Sequence, residues 1–155
     1  MYVSWEISLL LFAKVILAFF LGFLVGIERE YHRCPAGVRT YAAVCMGSCL
    51  FALVSIHALD ISYYHGIVDP TRIAAQIVSG IGFLGAGMIF RDGSKTSGLT
   101  TAATIWSVAA VGMAVAFNMY LVAILATLLT ILLLSLNNFS FWKRFKSKAR
   151  GEETN

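Results

Sequence analysis

Long apolar runs separated by short polar connections dominate the sequence. The runs lie at about 7–27, 41–59, 72–90, 99–117 and 119–136. Each is close to the roughly 20 residues that an α-helix needs to cross a ~30 Å hydrocarbon core. The pattern predicts an all-α, polytopic membrane protein with five transmembrane helices. The last two are expected to form a tight antiparallel hairpin around Asn118.

Composition narrows the class of protein. Of the 155 residues, 59% are hydrophobic and 13% are charged, whereas soluble proteins average about 45–50% and 25%. This composition excludes a soluble enzyme and a nucleic-acid-binding module, and five spans leave too few residues for a separate soluble domain. We therefore expect one transmembrane domain over 1–137 and a basic tail over 138–155.

Basic residues set the expected orientation. Ten of the twelve Lys and Arg lie in the segments 28–40, 91–98 and 137–155, which share one side of a five-span arrangement, and only Arg72 lies on the other side. The positive-inside rule then places the N-terminus outside and the C-terminus in the cytoplasm. The five bases of the tail predict an anchor to anionic lipid.

Lys14 is the one charged residue inside a predicted span, about three residues from the middle of the first. Such a charge is costly in lipid and needs a reason. Two interpretations remain open: its long side chain extends toward the outer interface, or it pairs with an acid or a polar group of another helix.

Polar residues recur at helical spacing in the third and fourth predicted spans. They are Arg72, Gln76, Ser79 and, one turn on, Phe83 in the third span, and Thr100, Thr101, Thr104 and Ser107 in the fourth. Because polar groups are costly in lipid, we expect the two faces to pack together. Either these polar residues only form hydrogen bonds between the two helices, or they line a polar pathway or a regulatory pocket.

The third predicted helix has start and stop signals. Asp69 is expected as its N-cap with Pro70 at the first helical position. At its end, Arg91 is expected to complement the helix dipole and Gly93 to adopt a left-handed conformation.

Small residues predict close packing of helix backbones. The candidates are Gly22 and Gly26 in the first span and Gly80, Gly82, Gly85 and Gly87 in the third. The third-span glycines also match G-x-G-x-x-G, the pattern of dinucleotide-binding loops. No strand precedes that match and no βαβ unit surrounds it, so we interpret it as accidental.

Acidic residues follow the first span, where they are unfavourable beside a helix C-terminus. Glu28 and Glu30 therefore need cationic partners, for which Arg39, Arg91 or a bound cation are candidates. With Asp92 these carboxylates are candidate Mg²⁺ ligands, but the surrounding basic residues favour salt bridges. Whether a metal site exists stays open.

No catalytic constellation is recognisable. The three histidines lack metal-ligand spacing, and no Ser/His/Asp or Cys/His set shares a predicted face. We expect neither an enzyme nor a bound cofactor. Cys45 and Cys49, four residues apart, are expected to be packing residues on one helix face.

The motifs GFLVGIERE, AGVRT, DPTRIAAQIVSGIGFLGAGMIFRDG and GLTTAATIWSVAAVG, taken together, resemble the MgtC/SapB family of bacterial inner-membrane proteins over residues 21–112. The resemblance implies a five-helix membrane domain linked to survival under magnesium limitation and, in pathogens, to growth inside macrophages. It also implies a partner, since a prominent member inhibits F-type ATP synthase by binding its membrane part. The family motifs single out Glu28, Arg39, Arg72, Gln76, Ser79, Arg91, Thr100 and Thr101.

Two departures limit what the resemblance implies. Some members carry Asn where Thr100 stands and Cys where Ser107 stands, so a role that rests on an amide or a thiol there is not carried over. Virulence-type members continue into a cytoplasmic regulatory domain. This chain ends about nineteen residues after the last predicted span, and we expect a short form without that mode of regulation.

Two functional hypotheses follow. The first is a non-enzymatic membrane regulator that packs against other integral membrane proteins or against copies of itself. The second is a small oligomeric magnesium or cation transporter. Since no Asp or Glu lies inside a predicted span and cation paths use acids or carbonyl rings at depth, the sequence favours the regulator.

Overall fold

The computed structural model describes residues 5–57, 69 and 71–136. Within them it contains five helices and one short hairpin: α1 (Trp5–Tyr31), α2 (Val38–His57), α3 (Arg72–Gly87), β1 (Phe90–Asp92), β2 (Lys95–Ser97), α4 (Leu99–Ala116) and α5 (Tyr120–Ser135). The predicted basic tail and the proline predicted at the start of the third helix lie outside the described residues. The five helices correspond to the five predicted apolar regions, with their ends shifted by up to four residues.

Three of these helices are long and apolar enough to cross a membrane, namely α1, α2 and α4. The other two, α3 and α5, are apolar but only 16 residues long, or about 24 Å at 1.5 Å per residue. The chain is thus a mostly helical membrane protein. Five crossings and the orientation of the termini stay predictions.

The core lies where α1, α2 and α4 meet. The helix α3 packs against α4 and α2, and α5 packs against α4 and α1. Tyr41, Cys45 and Cys49 of α2 and Val115 of α4 are fully buried in it. The prediction that Cys45 and Cys49 pack on one helix face is confirmed. In contrast, α5 leaves a row of leucines exposed, as suits a helix that faces lipid.

Close approach of the central helices depends on glycine. A Cβ added at Gly22 would lie 2.5 Å from the Tyr41 carbonyl oxygen, and one at Gly26 would lie 2.5 Å from the Cα of Val38. On α4, a Cβ at Gly112 would overlap the carbonyl oxygen of Cys45. Backbone therefore lies against backbone along both sides of α2, which a larger residue at these positions would prevent.

A Schellman motif joins α4 to α5. Asn118 adopts a left-handed conformation with φ of 63°. Its N–H donates to the Val115 carbonyl at 3.2 Å, and the N–H of Met119 donates to the Ala114 carbonyl at 2.8 Å. This pattern satisfies carbonyls at the end of α4 and reverses the chain within three residues, so the predicted tight helical hairpin is confirmed.

The end of the third helix differs from the prediction. α3 stops at Gly87 rather than near residue 90, and Phe90–Ser97 form an antiparallel hairpin in which Arg91 pairs with Thr96. Gly93 has the expected positive φ, 56°, but in the hairpin turn rather than at the helix end. Arg91 therefore does not cap α3. The Asp-Gly pair is a strong hairpin signal, and it outweighed the helix-stop interpretation.

The start of α3 also requires a correction, because Thr71 rather than Asp69 occupies the N-cap position. Asp69 lies two residues earlier, where its Oδ1 accepts hydrogen bonds from the Thr71 hydroxyl at 2.7 Å and the Thr71 N–H at 2.8 Å. These bonds hold the pKa of Asp69 below its usual value. The aspartate thus forms a turn before the helix, a common local alternative to capping.

Candidate functional site

A buried polar cluster lies at the end of the bundle where α1 ends and α2 and α4 begin. Its members are Glu28 and Arg29 of α1, Tyr41 of α2, and Thr101 and Thr104 of α4. Arg29 is only 7% exposed, Tyr41 is fully buried and the two threonines are each 4% exposed. Three helices therefore contribute polar groups to one enclosed region, which we call the polar cluster.

The Glu28 carboxylate is paired within its own helix. Arg29 donates to it through both Nε and Nη2, the latter at 2.8 Å, and Nδ1 of His32 lies 3.2 Å from Oε1. The expected partners Arg39 and Arg91 are both exposed. The predicted salt bridge of Glu28 forms, but with Arg29 rather than with Arg39 or Arg91. Adjacent helical residues do not normally face each other, and this pair forms in the last turn of α1.

The Tyr41 hydroxyl is the unusual member of the polar cluster. It is buried and makes no hydrogen bond of normal geometry within the described residues, and the Thr104 side chain and the Arg29 guanidinium lie nearby. The Thr104 hydroxyl instead donates to the Thr100 carbonyl at 2.7 Å. A buried hydroxyl without a partner costs about 1–3 kcal/mol.

Glu30 has a different role from Glu28. Its Oε2 accepts the N–H of Val38, the first residue of α2, at 2.9 Å. A carboxylate is favourable at this positive end of a helix dipole. Gly37 permits the approach, since a Cβ there would lie 2.7 Å from the same oxygen. The acid that is unfavourable at the end of α1 is thus stabilised by the start of α2.

Lys14 lies at the opposite end of the bundle and is 6% exposed. Its Nζ donates to the carbonyl oxygen of Ala116, the last residue of α4, at 3.2 Å. The side chain therefore pairs with a polar group of another helix, which is the second of the two interpretations. A cation at a helix C-terminus also complements the dipole.

The predicted polar face of α3 does not pack against α4. Arg72, Gln76 and Ser79 are all exposed, and Phe83 is 82% exposed. The opposite side of α3, which carries Ile77, Ile81 and Gly85, is the buried side. The expectation that the two polar faces pack together is therefore not met.

Size and shape explain which side of α3 is buried. A Cβ at Gly85 would lie 3.6 Å from the Ala102 side chain, so a small residue on each helix allows close contact. Polar Thr101 and Thr104 face the core of the bundle from α4 without a polar counterpart on α3. Apolar packing, rather than pairing of polar groups, sets the rotation of α3.

An open groove of about 550 Å³ runs between α2 and α3. Ser48 and Gln76 are its polar lining residues, and the remainder is apolar. Gly47 and Gly80 contribute to its width, because a Cβ at either would have no neighbour within 4 Å. The groove adjoins the exposed polar face, so both features lie on the same side of the molecule.

The remaining predicted residues are dispersed. Thr100 is exposed, as are Arg39 and Arg91, and none of these joins the polar cluster. Gly82 and Gly87, like Gly80, have open space where a Cβ would stand, so they make no close contact with the described part of the chain. Within that same part, no three His, Cys, Asp or Glu residues lie together as metal ligands would.

Sequence reasoning did not single out Arg29, Tyr41 or Gly112. The sequence does give one indication of Tyr41 and Arg29, because both polar side chains lie at the ends of predicted apolar helices. Their burial depends on three helices meeting, which no local pattern shows. Together, the polar cluster, the exposed face of α3 and the groove offer hydrogen-bonding groups and packing surfaces.

Comparison with known proteins identifies the relatives of this chain. Residues 15–140 match the MgtC family. The chain is 39% identical to an uncharacterised protein of Haemophilus influenzae over 95% of this chain and 64% of that one. It is 40% identical to Protein SapB of Bacillus subtilis over 86% of this chain and 58% of SapB.

A further relative is a putative magnesium transporter, YhiD, of Escherichia coli K12, with 42% identity over 78% of this chain and 57% of YhiD. The chain thus spans about three fifths of the length of these relatives. No solved structure matches it. Since the family match covers most of the chain and includes the polar cluster and α3, the chain belongs to the MgtC/SapB family.

Proposed function

We propose that this chain is a non-enzymatic regulator in the bacterial inner membrane that supports adaptation to magnesium limitation. It acts by packing against other integral membrane proteins. The observation that carries the proposal is the exposed polar face of α3, formed by Arg72, Gln76 and Ser79. Membership in the MgtC/SapB family supports a magnesium-related role.

The physical argument concerns the amide and the hydroxyl on that face. Gln76 and Ser79 lie four and seven residues into α3, or about 6 and 10 Å along its axis. Polar groups at such depth face the interior of an assembly or a polar cavity rather than lipid. A neighbouring protein helix supplies hydrogen-bond partners that acyl chains lack.

F-type ATP synthase is our proposed physiological partner. It comes from the resemblance to family members that bind its membrane part, and a contribution to virulence is proposed on the same basis. A regulator of this kind needs a helix surface that stays accessible in the folded chain. The exposed face of α3 supports that requirement.

A magnesium transporter is the second candidate, because the E. coli relative is described as a putative one. The structure gives this alternative little support. Glu28, a largely buried carboxylate of the polar cluster whose side chain is 10% exposed, already accepts two hydrogen bonds from Arg29. A carboxylate neutralised in this way is a poor ligand for Mg²⁺, which is bound through one or two free carboxylates and several waters.

Growth under magnesium limitation tests the proposal. In a bacterial strain whose own family member is deleted, the wild-type chain should restore growth, and Gln76→Leu should not. The matched control is Leu121→Met, on a residue of α5 that is 81% exposed. Loss of growth with Gln76→Leu alone, together with loss of co-purified ATP synthase subunits, is the expected result.

Liposomes separate the two candidates. Purified protein in vesicles loaded with a Mg²⁺-sensitive dye should give no specific flux. Flux that Gln76→Leu abolishes would show the transporter to be correct. Unchanged growth with Gln76→Leu would contradict the role of the α3 face.

A further inference from the structure

We infer that two copies of this chain pair through α3, each placing Phe83 in the groove between α2 and α3 of the other. The inference rests on the proposed function in one respect, namely that protein rather than lipid covers the exposed face of α3. It goes further by naming a second copy of this chain as the first occupant of that face, so that the dimer is the form that other membrane proteins contact.

A protruding side chain and an open groove occur on the same helix. Phe83 is 82% exposed. On the adjacent side of α3, the groove is lined by Ile77, Gly80 and Leu84. A two-fold axis parallel to α3 brings the protruding side of one copy against the groove side of the other. Such an interface uses the same patch twice.

The middle of α3 suits a helix crossing. Ser79 and Gly80 are the two central residues of Arg72–Gly87. A Cβ at Gly80 would meet nothing within 4 Å, so the backbone of a second helix has room to approach there. Small residues at the crossing point are typical of helix pairs in membranes.

Gln76 offers groups that pair with their own kind. Its side-chain amide carries two donors and an acceptor, so two copies related by a two-fold axis satisfy each other. Lipid supplies no such partner in the hydrocarbon region. The hydroxyl of Ser79 is both donor and acceptor in the same way.

Charges of both signs lie at the start of α3. Asp69 and Arg72 are both exposed and lie three residues apart. Because the two-fold axis is parallel to α3, the two Arg72 side chains and the two positive helix ends come together, which is unfavourable by itself. The Asp69 carboxylate of each copy lies in the turn just before Arg72, so two acids at the same level offset the two cations.

Disulfide cross-linking in native membranes tests the pairing. In a Cys34→Ser background, which keeps the buried Cys45 and Cys49, Gly80→Cys should form a disulfide-linked species of twice the 16.9 kDa chain mass on mild oxidation. Gly82→Cys is the matched control. It is an open glycine of the same helix on the side away from the groove, and it should cross-link little.

Phe83→Ala supplies the second measurement. The side chain is exposed in the single chain, so folding should be unaffected, whereas loss of an anchor residue should weaken dimerisation by about tenfold or more. A dilution series in lipid nanodiscs or micelles gives the dissociation constant. A matched substitution, Leu121→Ala on α5, should leave it unchanged.

Three outcomes would overturn the dimer: equal cross-linking of Gly80→Cys and Gly82→Cys, only monomers in lipid, or an unchanged dissociation constant for Phe83→Ala. Linkage of Gly80→Cys to a different protein would also overturn it, while leaving the proposed regulatory function in place. If the dimer forms but Gln76→Leu still supports growth, the proposed function fails and the dimer stands.

Discussion

A methyl group added at residue 112 should force α2 and α4 apart. In Gly112→Ala the new Cβ would overlap the Cys45 carbonyl oxygen and lie 3.0 Å from the carbon of that carbonyl and 3.1 Å from the Cys49 nitrogen. Carbon atoms in favourable contact are about 3.5–4.0 Å apart. The two helices must therefore separate by roughly 0.5–1 Å along their closest contact.

The neighbours at this site are main-chain atoms in the middle of a helix, so they have no side-chain rotamer through which to relax. Overpacking of this kind costs about 1–3 kcal/mol. The intrinsic gain from replacing glycine by alanine in a helix is about 1 kcal/mol, and it partly offsets that cost. A control that shares the gain but not the overlap isolates the packing effect.

Gly82→Ala is that control, since a Cβ there meets nothing within 4 Å. We expect Gly112→Ala to be less stable than Gly82→Ala by about 1–3 kcal/mol. Unfolding of the purified variants in mixed micelles, with a rising mole fraction of a denaturing detergent, gives both free energies. Equal stability of the two variants would refute the backbone contact between α2 and α4.

Three further substitutions probe other features. Lys14→Met removes the donor to the Ala116 carbonyl and should lower the free energy of unfolding by about 1–3 kcal/mol in the same micelle assay. A rise in that free energy would show that burying the ammonium group destabilises the protein more than its hydrogen bond stabilises it. Tyr41→Phe removes a buried hydroxyl without a partner in the described residues and should leave stability equal or raise it by about 1 kcal/mol; a clear loss in thermal melts would reveal a hidden partner. Gly98→Ala places a Cβ at φ of 85° against a backbone carbonyl, so it should cost at least about 1–3 kcal/mol and reduce the yield of folded protein, unlike Gly82→Ala.

Elements that depend on local patterns could be predicted from the sequence. The five apolar runs correspond to the five described helices, and the turn at Asn118 forms where the fourth run ends. Asparagine tolerates the left-handed conformation that a helix reversal requires, so the chemistry of one residue gives the connection. The glycine pair Gly22 and Gly26 likewise lies where α1 touches α2.

Features that depend on competition between faces could not be predicted. The polar residues of α3 suggested its contact with α4, but the side with Ile77 and Ile81 is buried instead. The hydrogen bonds that polar groups make between helices in lipid average only about 0.6 kcal/mol, so close apolar packing can decide the rotation of a helix. Periodicity identifies two candidate faces without showing which one touches a neighbour.

The hydrogen bond between Lys14 and Ala116 can form only late in the synthesis of the chain. The two residues are 102 positions apart, so at about 5–20 residues per second the ribosome needs roughly 5–20 s to supply the acceptor after the donor has been made. During that interval the Lys14 ammonium group lacks the carbonyl oxygen of Ala116 as its hydrogen-bond acceptor. Nascent chains that stop before α4 should therefore leave the insertion machinery slowly or be degraded early, and Lys14→Met should relieve that delay.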